Sequence, residues 1–236
     1  MIALDAPSPA LARLARELDE QSLHPLGDLR PDLSRATAED VEAAQIAWSH
    51  RVIGEYRGVV IYTELLALLA EIEAPYAALA AVQRVIGDEL RHTRLCAEVV
   101  EWLGGWESLE VDLGGQRMQR WDAPPGVRAL WITARELCVV EATAVRAFRA
   151  HLRADLDPAI RAVFQSLLAD EIRHAAVGAE LREHLEKRFP EGRIGLASML
   201  EGDVRHLREE ALQRAGDGPG RALGAVLRRS DLETDP

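Results

Sequence analysis

Asp88-Glu89-Leu90-Arg91-His92 recurs, almost residue for residue, as Asp170-Glu171-Ile172-Arg173-His174, and the reading of this pair decides the fold. Each stretch lies in a run with helical periodicity. The Glu and the His three positions on therefore fall roughly 60° apart and project from one helix face. Each stretch is a ready-made pair of metal ligands. A single Glu-x-x-His says little, since both residue types are ordinary on solvated helices. Two copies, each with Asp in front and Arg beside the His, point to a duplicated site.

Working outward, the first copy sits in the second of two helices joined by a short turn. Thr37 can cap the first helix, with Glu39 and Asp40 in its opening turn, and the pattern runs to about Glu73. Ala74-Pro75 breaks it and opens the second helix, which continues to about Leu103, where Gly104-Gly105 ends it. The second copy has the same setting. A third helix is expected from about Gly126 to Asp155, and Asp157-Pro158 opens a fourth that lasts to about Phe189-Pro190. Between the halves, from Trp106 to Pro125, no helical period is sustained. At about 3.3 Å per residue this connection reaches roughly 60–70 Å, more than the ~45 Å of a 30-residue helix, so it can cross the whole molecule. Two hairpins and one long connection are the outline of an all-α four-helix bundle with a crossover between helices 2 and 3. The repeat suggests a pseudo-twofold arrangement.

Around this bundle, taken as residues 36–190, the sequence places an N-terminal arm with a short helix (1–35), an accessory helix (191–215) and a flexible tail (216–236). The chain of 236 residues is 48% hydrophobic and carries a net charge of −11. One sizeable core fits that length. The acidic balance argues against binding nucleic acid through its phosphates. Cys96 and Cys138 are too few for a disulfide scaffold and lack Cys-x-x-Cys spacing. Asp5, Pro7 and Pro9 interrupt the place of a signal peptide, and no apolar run is long enough to span a bilayer. A cytoplasmic protein is expected.

A dinuclear iron or manganese site in such a bundle needs one further carboxylate from each first helix. Equal distances from the turn point to Glu55 or Glu64 for the first half, and to Glu141, with Glu136 as the alternative, for the second. Periodicity leaves both choices open.

Taken together, Glu55, Asp88-Glu89-x-x-His92, Glu141 and Asp170-Glu171-x-x-His174 resemble the ligand set of the ferritin-like di-iron carboxylate superfamily. The chain is similar to bacterial ferritin-like domain proteins of mostly undefined activity. In these a Glu stands 34 positions before the first Glu-x-x-His, with Ala-Pro at the turn, as Glu55, Ala74-Pro75 and Glu89 do here. Their second half has the spacing of Glu141, Asp157-Pro158 and Glu171, and their Glu136-Leu137-Cys138-Val139-Val140-Glu141 segment is alike. The resemblance covers about residues 45 to 188 and favours Glu55 over Glu64. It implies six metal ligands: Glu55, Glu89, His92, Glu141, Glu171 and His174. The repeated Asp-Glu-x-Arg-His is also similar to bacterial multicomponent monooxygenases, which this chain does not match in size.

Four carboxylates and two imidazoles leave two divalent ions near neutral overall, and mixed oxygen and nitrogen donors suit two iron ions, or a manganese/iron pair. Asp88 and Asp170 can accept the ring N–H of a ligand His and so fix its orientation. Arg91 and Arg173 can pair with those aspartates inside the bundle. Tyr62, two turns along from Glu55, reads as a core aromatic whose hydroxyl could donate a hydrogen bond beside the site. The cysteines read as small packing residues on opposite sides of the metal layer, and His24, His50, His151, His184 and His206 as surface or packing residues. Val145 and Phe148 share the Glu141 face.

The function expected is an O2-activating oxygenase or oxidase acting on a small organic substrate, with electrons from a separate ferredoxin or reductase. The missing Cys-x-x-Cys separates the chain from self-contained rubrerythrins. Leu167, where arylamine N-oxygenases carry a further His, separates it from those enzymes. The alternatives are a ferroxidase of the bacterioferritin type, which the arm and extra helix fit less well, and a bundle that uses metal only for stability. A homodimer is compatible with this outline. The tail from Arg221 to Arg229 faintly resembles the peptides that dock cargo enzymes in encapsulin shells.

Overall fold

The computed structural model describes residues 26–34, 36–105, 122–154 and 156–197, together with positions 13, 17, 20, 22, 23, 200 and 201. The elements they form are all helical: α1 (Ala38–Glu71), α2 (Tyr76–Trp102), α3 (Pro125–Ile132), a π-helical segment (Thr133–Val140), α4 (Glu141–His151), α5 (Pro158–Arg188) and a 3-10 turn (Pro190–Arg193). The α3, π and α4 segments follow one another without a break, so the described residues form four long helical rods.

Local chemistry sets the ends. Thr37 caps α1 through a reciprocal pair: its hydroxyl accepts from the Asp40 amide at 3.1 Å, and Asp40 accepts from the Thr37 amide at 3.3 Å. Glu73 takes a left-handed conformation at the turn (φ 53°), and the Ala74 amide donates back to Leu69 at 2.9 Å. Asp157 caps α5 by accepting from the Ala159 amide at 2.8 Å, and Pro158 starts the helix. Its other oxygen accepts from the Asp32 amide at 3.1 Å, which ties the described part of the arm to the hairpin. Leu26 is buried in the same core.

Two apolar clusters occupy opposite poles. The first joins Trp48 and Val52 of α1, Leu95 to Leu103 from α2 and the residue after it, Phe148 of α4, and Phe164 and Leu167 of α5. The second joins Ile61, Leu65 and Leu69 of α1, Val82 and Val85 of α2, Leu130 and Leu137 of the third rod, and Leu181 and Leu185 of α5. Thus α1 and α5 run one way, and α2 and the third rod run the other. Because α2 ends in the first cluster and α3 begins in the second, the two ends of the connection lie at opposite poles, as a crossover demands. Residues 106–121 themselves lie outside the described residues.

The third rod departs from the expected uninterrupted helix in two ways: it ends at His151, and its middle is π-helical. The Glu141 amide donates to the Glu136 carbonyl, five residues back. At the same level α5 comes very close: a Cβ on Gly178 would lie 2.6 Å from the Leu137 Cβ and 2.9 Å from the Leu137 carbonyl. Only glycine permits that approach. Beyond α5, residues 191–195 form the 3-10 turn and a turn in which Gly195 takes a left-handed conformation (φ 79°), so no accessory helix starts at 191 as expected. Residues 196, 197, 200 and 201 are helical, and 198, 199 and 202–215, most of the N-terminal helix and the tail lie outside the described residues. Among the described residues no helix is long and apolar enough to cross a membrane.

Candidate metal centre

Between the two apolar poles every rod contributes acidic or imidazole groups. Glu55, Glu89, His92 and Glu171 form one group, and Glu89, Glu141, Glu171 and His174 form another, with ligand atoms within 4.8 Å of one another in each. All six residues expected from the sequence are brought together. Glu89 and Glu171 belong to both groups. Only Glu55 is partly exposed; the other five are buried.

The alternatives are engaged elsewhere. Glu64 pairs with Arg128. Glu136 accepts from both terminal nitrogens of Arg57, at 3.1 and 3.0 Å, and from Arg135.

Each imidazole is held from behind. His92 turns Nε2 to Asp170 Oδ2 at 3.2 Å, and His174 turns Nε2 to Asp88 Oδ2 at 3.4 Å. The support is crosswise: the Asp of each motif orients the His of the other. In the neutral ring, an N–H donated to Asp at Nε2 leaves the Nδ1 lone pair facing inward, the form a metal ion requires. His92 Nδ1 lies 3.4 Å from both Glu55 Oε2 and Glu171 Oε1. His174 Nδ1 lies 2.9 Å from Glu171 Oε2 and 3.3 Å from Glu89 Oε1. None of these contacts has hydrogen-bond alignment: both Nδ1 atoms and Glu171 Oε2 are buried without a hydrogen-bond partner. Buried donors and acceptors are rarely left so. A cation among them would satisfy all three.

Arg91 contacts Asp170 and lies 3.4 Å from Asp88, while Arg173 contacts Asp170 and lies 3.0 Å from Asp88. The two aspartates are thereby neutralised locally. Although burial opposes it, the contacts with His174 and Arg173 hold the Asp88 carboxyl well below the usual carboxylate range.

The inner carboxylates are not neutralised. Burial, with the charge of Glu171 next to it, pushes Glu141 well up. Burial also pushes Glu89 up, to about 8, against the opposing contact with His174. Glu171 rises for the same first reason, burial. For Glu55 the burial penalty is outweighed by His92 and by the cations Arg51 and His174, and its carboxyl is lowered. His174 is carried to about 12: burial disfavours its charge, but Asp88, Glu171 and Glu89 overcome it. Such a cluster favours protons or metal cations, and four carboxylates match the charge of two divalent ions.

Three features had not been anticipated. Gly58 lies on the face of α1 that carries Glu55 and Tyr62, and a Cβ there would meet Glu89 Oε2 at 2.5 Å. A glycine inside a helical pattern, three residues after a ligand, was the available signal. Arg51, one turn before Glu55, lies over Trp48, Phe148 and Phe164, 5.3, 4.9 and 5.5 Å from their ring centres. The pairing of the half-buried Arg57 with the buried Glu136 is the third. Tyr62 is placed as its stripe suggested: it is buried, and its hydroxyl donates to Glu141. Cys96 lies in the first apolar cluster, and Cys138 lies near Arg182 and Glu186; both are free. His151 stacks on Phe164 with ring centres 4.8 Å apart, and His50 is exposed.

The fold and the site define an all-helical protein with a buried carboxylate and imidazole cluster able to hold metal. Comparison with protein-family models, with curated proteins and with solved structures finds no match to this chain.

Proposed function

We propose that this chain is a ferritin-like four-helix bundle holding two iron ions, or a manganese/iron pair, and that it activates O2 to oxidise a small organic substrate. Its electrons would come from a separate ferredoxin or reductase. The observation that carries the reading is the sharing of Glu89 and Glu171 between two groups of four ligands whose buried Nδ1 atoms have no hydrogen-bond partner. Six donors of this mixed kind suit iron or manganese better than softer metals.

When bound, the metal pair would supply redox equivalents and Lewis acidity toward O2. The protein's part is separate. Asp88 and Asp170 hold the ring protons of His174 and His92 on Nε2, which keeps both Nδ1 lone pairs available. Arg91 and Arg173 offset those two aspartates, so the charge left to the metals is that of the four glutamates. Trp48, Val52 and Leu167 on one side, and Ile61, Leu65 and Leu137 on the other, exclude bulk water from the layer. A substrate oxidised there would have to be small or flexible enough to reach a layer enclosed between two packed clusters.

Anaerobic loading with Fe(II) followed by exposure to O2 tests the proposal. A metal-dependent absorbance change, with reducing equivalents consumed and no mineral formed, is the expected result. No absorbance change would remove every O2-activating reading, and growth of a mineral core in a large cage would replace the oxygenase with a ferroxidase.

A further inference from the structure

The two halves of the site differ in the aromatic residue two turns beyond each first-helix glutamate. Seven residues after Glu55 stands Tyr62; seven residues after Glu141 stands Phe148. Tyr62 is 2% exposed and reaches from α1 to the third rod, where its hydroxyl donates to Glu141 Oε1. That oxygen is also the one near His174 Nδ1, at 3.9 Å. Glu55 faces His92 Nδ1 at 3.4 Å, and none of the described side chains donates a hydroxyl hydrogen bond to it. Phe148 has no donor to offer, and its ring packs on Phe164, 5.6 Å between centres, and under Arg51.

A carboxylate oxygen that already accepts a phenol hydrogen bond is fixed in orientation and gives up part of its charge. The terminal carboxylates of an otherwise duplicated site are therefore held differently. We infer that Tyr62 is a positioning residue that makes the two metal positions inequivalent. It pins Glu141 on the His174 side, and Glu55, on the His92 side, is the terminal carboxylate that turns when an outside ligand binds. This rests on the proposed pair of metals.

The test is Mössbauer spectroscopy of the full chain loaded anaerobically with isotopically enriched Fe(II), for the natural sequence and for Tyr62→Phe, with and without azide. Two quadrupole doublets of equal area are expected. Tyr62→Phe should shift one of them, and azide should shift the other. Fewer than two irons per chain would overturn the metal pair and this inference with it. Two irons giving a single doublet, or two doublets that Tyr62→Phe leaves in place, would overturn the inference and leave the pair standing. Replacing the chain's 3 tyrosines with ring-fluorinated tyrosine keeps every hydroxyl and strengthens its donation. The doublet sensitive to Tyr62→Phe must then move in the opposite sense, and a stationary doublet would contradict the role assigned to Tyr62.

Discussion

Replacing Gly58 with alanine should weaken metal binding while strengthening the helix that carries it. A Cβ at position 58 would fall 2.5 Å from Glu89 Oε2, 2.8 Å from its Cδ and 3.1 Å from its Cγ. Ordinary contact begins near 3.4 Å, so the carboxylate must retreat by about 0.9 Å, beyond the ~0.5 Å that a preorganised site tolerates. Because Glu89 belongs to both ligand groups, both metal positions suffer. A loss of about 10–100-fold in affinity, about 1.4–2.7 kcal/mol, is expected, by analogy with changes to groups that orient metal ligands. Backbone propensity acts the other way, since alanine in a helix interior gains about 0.5–1 kcal/mol over glycine. Thermal denaturation with and without Mn(II) separates the two effects. The metal-free variant should melt a few degrees higher, or at least no lower, and its rise in Tm on adding Mn(II) should shrink by about 3–10 °C. A variant whose metal-induced rise equals that of the natural sequence would refute the argument that Gly58 makes room for Glu89.

Glu136→Gln should keep both metals and Glu141→Gln should lose binding, as metal analysis after dialysis would show; the reverse would mean that the π segment had been read in the wrong register. Arg57→Ala removes one of the two guanidinium partners of the buried Glu136 carboxylate, leaving Arg135, and should cost about 1.5–3 kcal/mol in chemical denaturation, the range of a charged hydrogen bond. Asp88→Asn should weaken binding at the His174 side by about 10–100-fold, and Asp170→Asn at the His92 side; the crosswise assignment fails if each instead affects the His of its own motif. Burial, with Arg51 nearby, lowers the His151 pKa to about 4, below its unfolded value near 6.5. The unfolded chain then binds the extra proton between those pH values, so this contribution is fully present above about pH 6.5 and is lost as pH falls toward 4. His151→Phe should flatten that part of the stability profile, measured by urea denaturation, by up to about 2–3 kcal/mol.

The sequence carried the ligands and the hairpins because both follow from short-range rules. Helix caps such as Thr37 and Asp157 act within three residues, and a Glu-x-x-His meets on one face of any α-helix. The choice of Glu55 and Glu141 required matching heights across a turn, and there periodicity alone left Glu64 and Glu136 open. What escaped was of longer range. The π segment arises where Gly178 lets α5 press against Leu137, and a widened helical turn leaves no period distinct enough to read over eight residues. The pairing of Asp88 with His174, rather than with the His of its own motif, depends on how α2 and α5 are set against each other. Gly58 was visible as a letter, but its purpose lies in a side chain on the neighbouring helix.

The central claim is that one chain binds two metal ions through carboxylates shared by both. Metal analysis after anaerobic equilibrium with Fe(II) or Mn(II) tests it most directly, comparing the natural sequence with Glu89→Ala and Glu171→Ala. Two ions per chain are predicted, with both lost together when either shared glutamate is removed. A natural chain that binds no metal, or a variant that keeps one ion at full affinity, would contradict it.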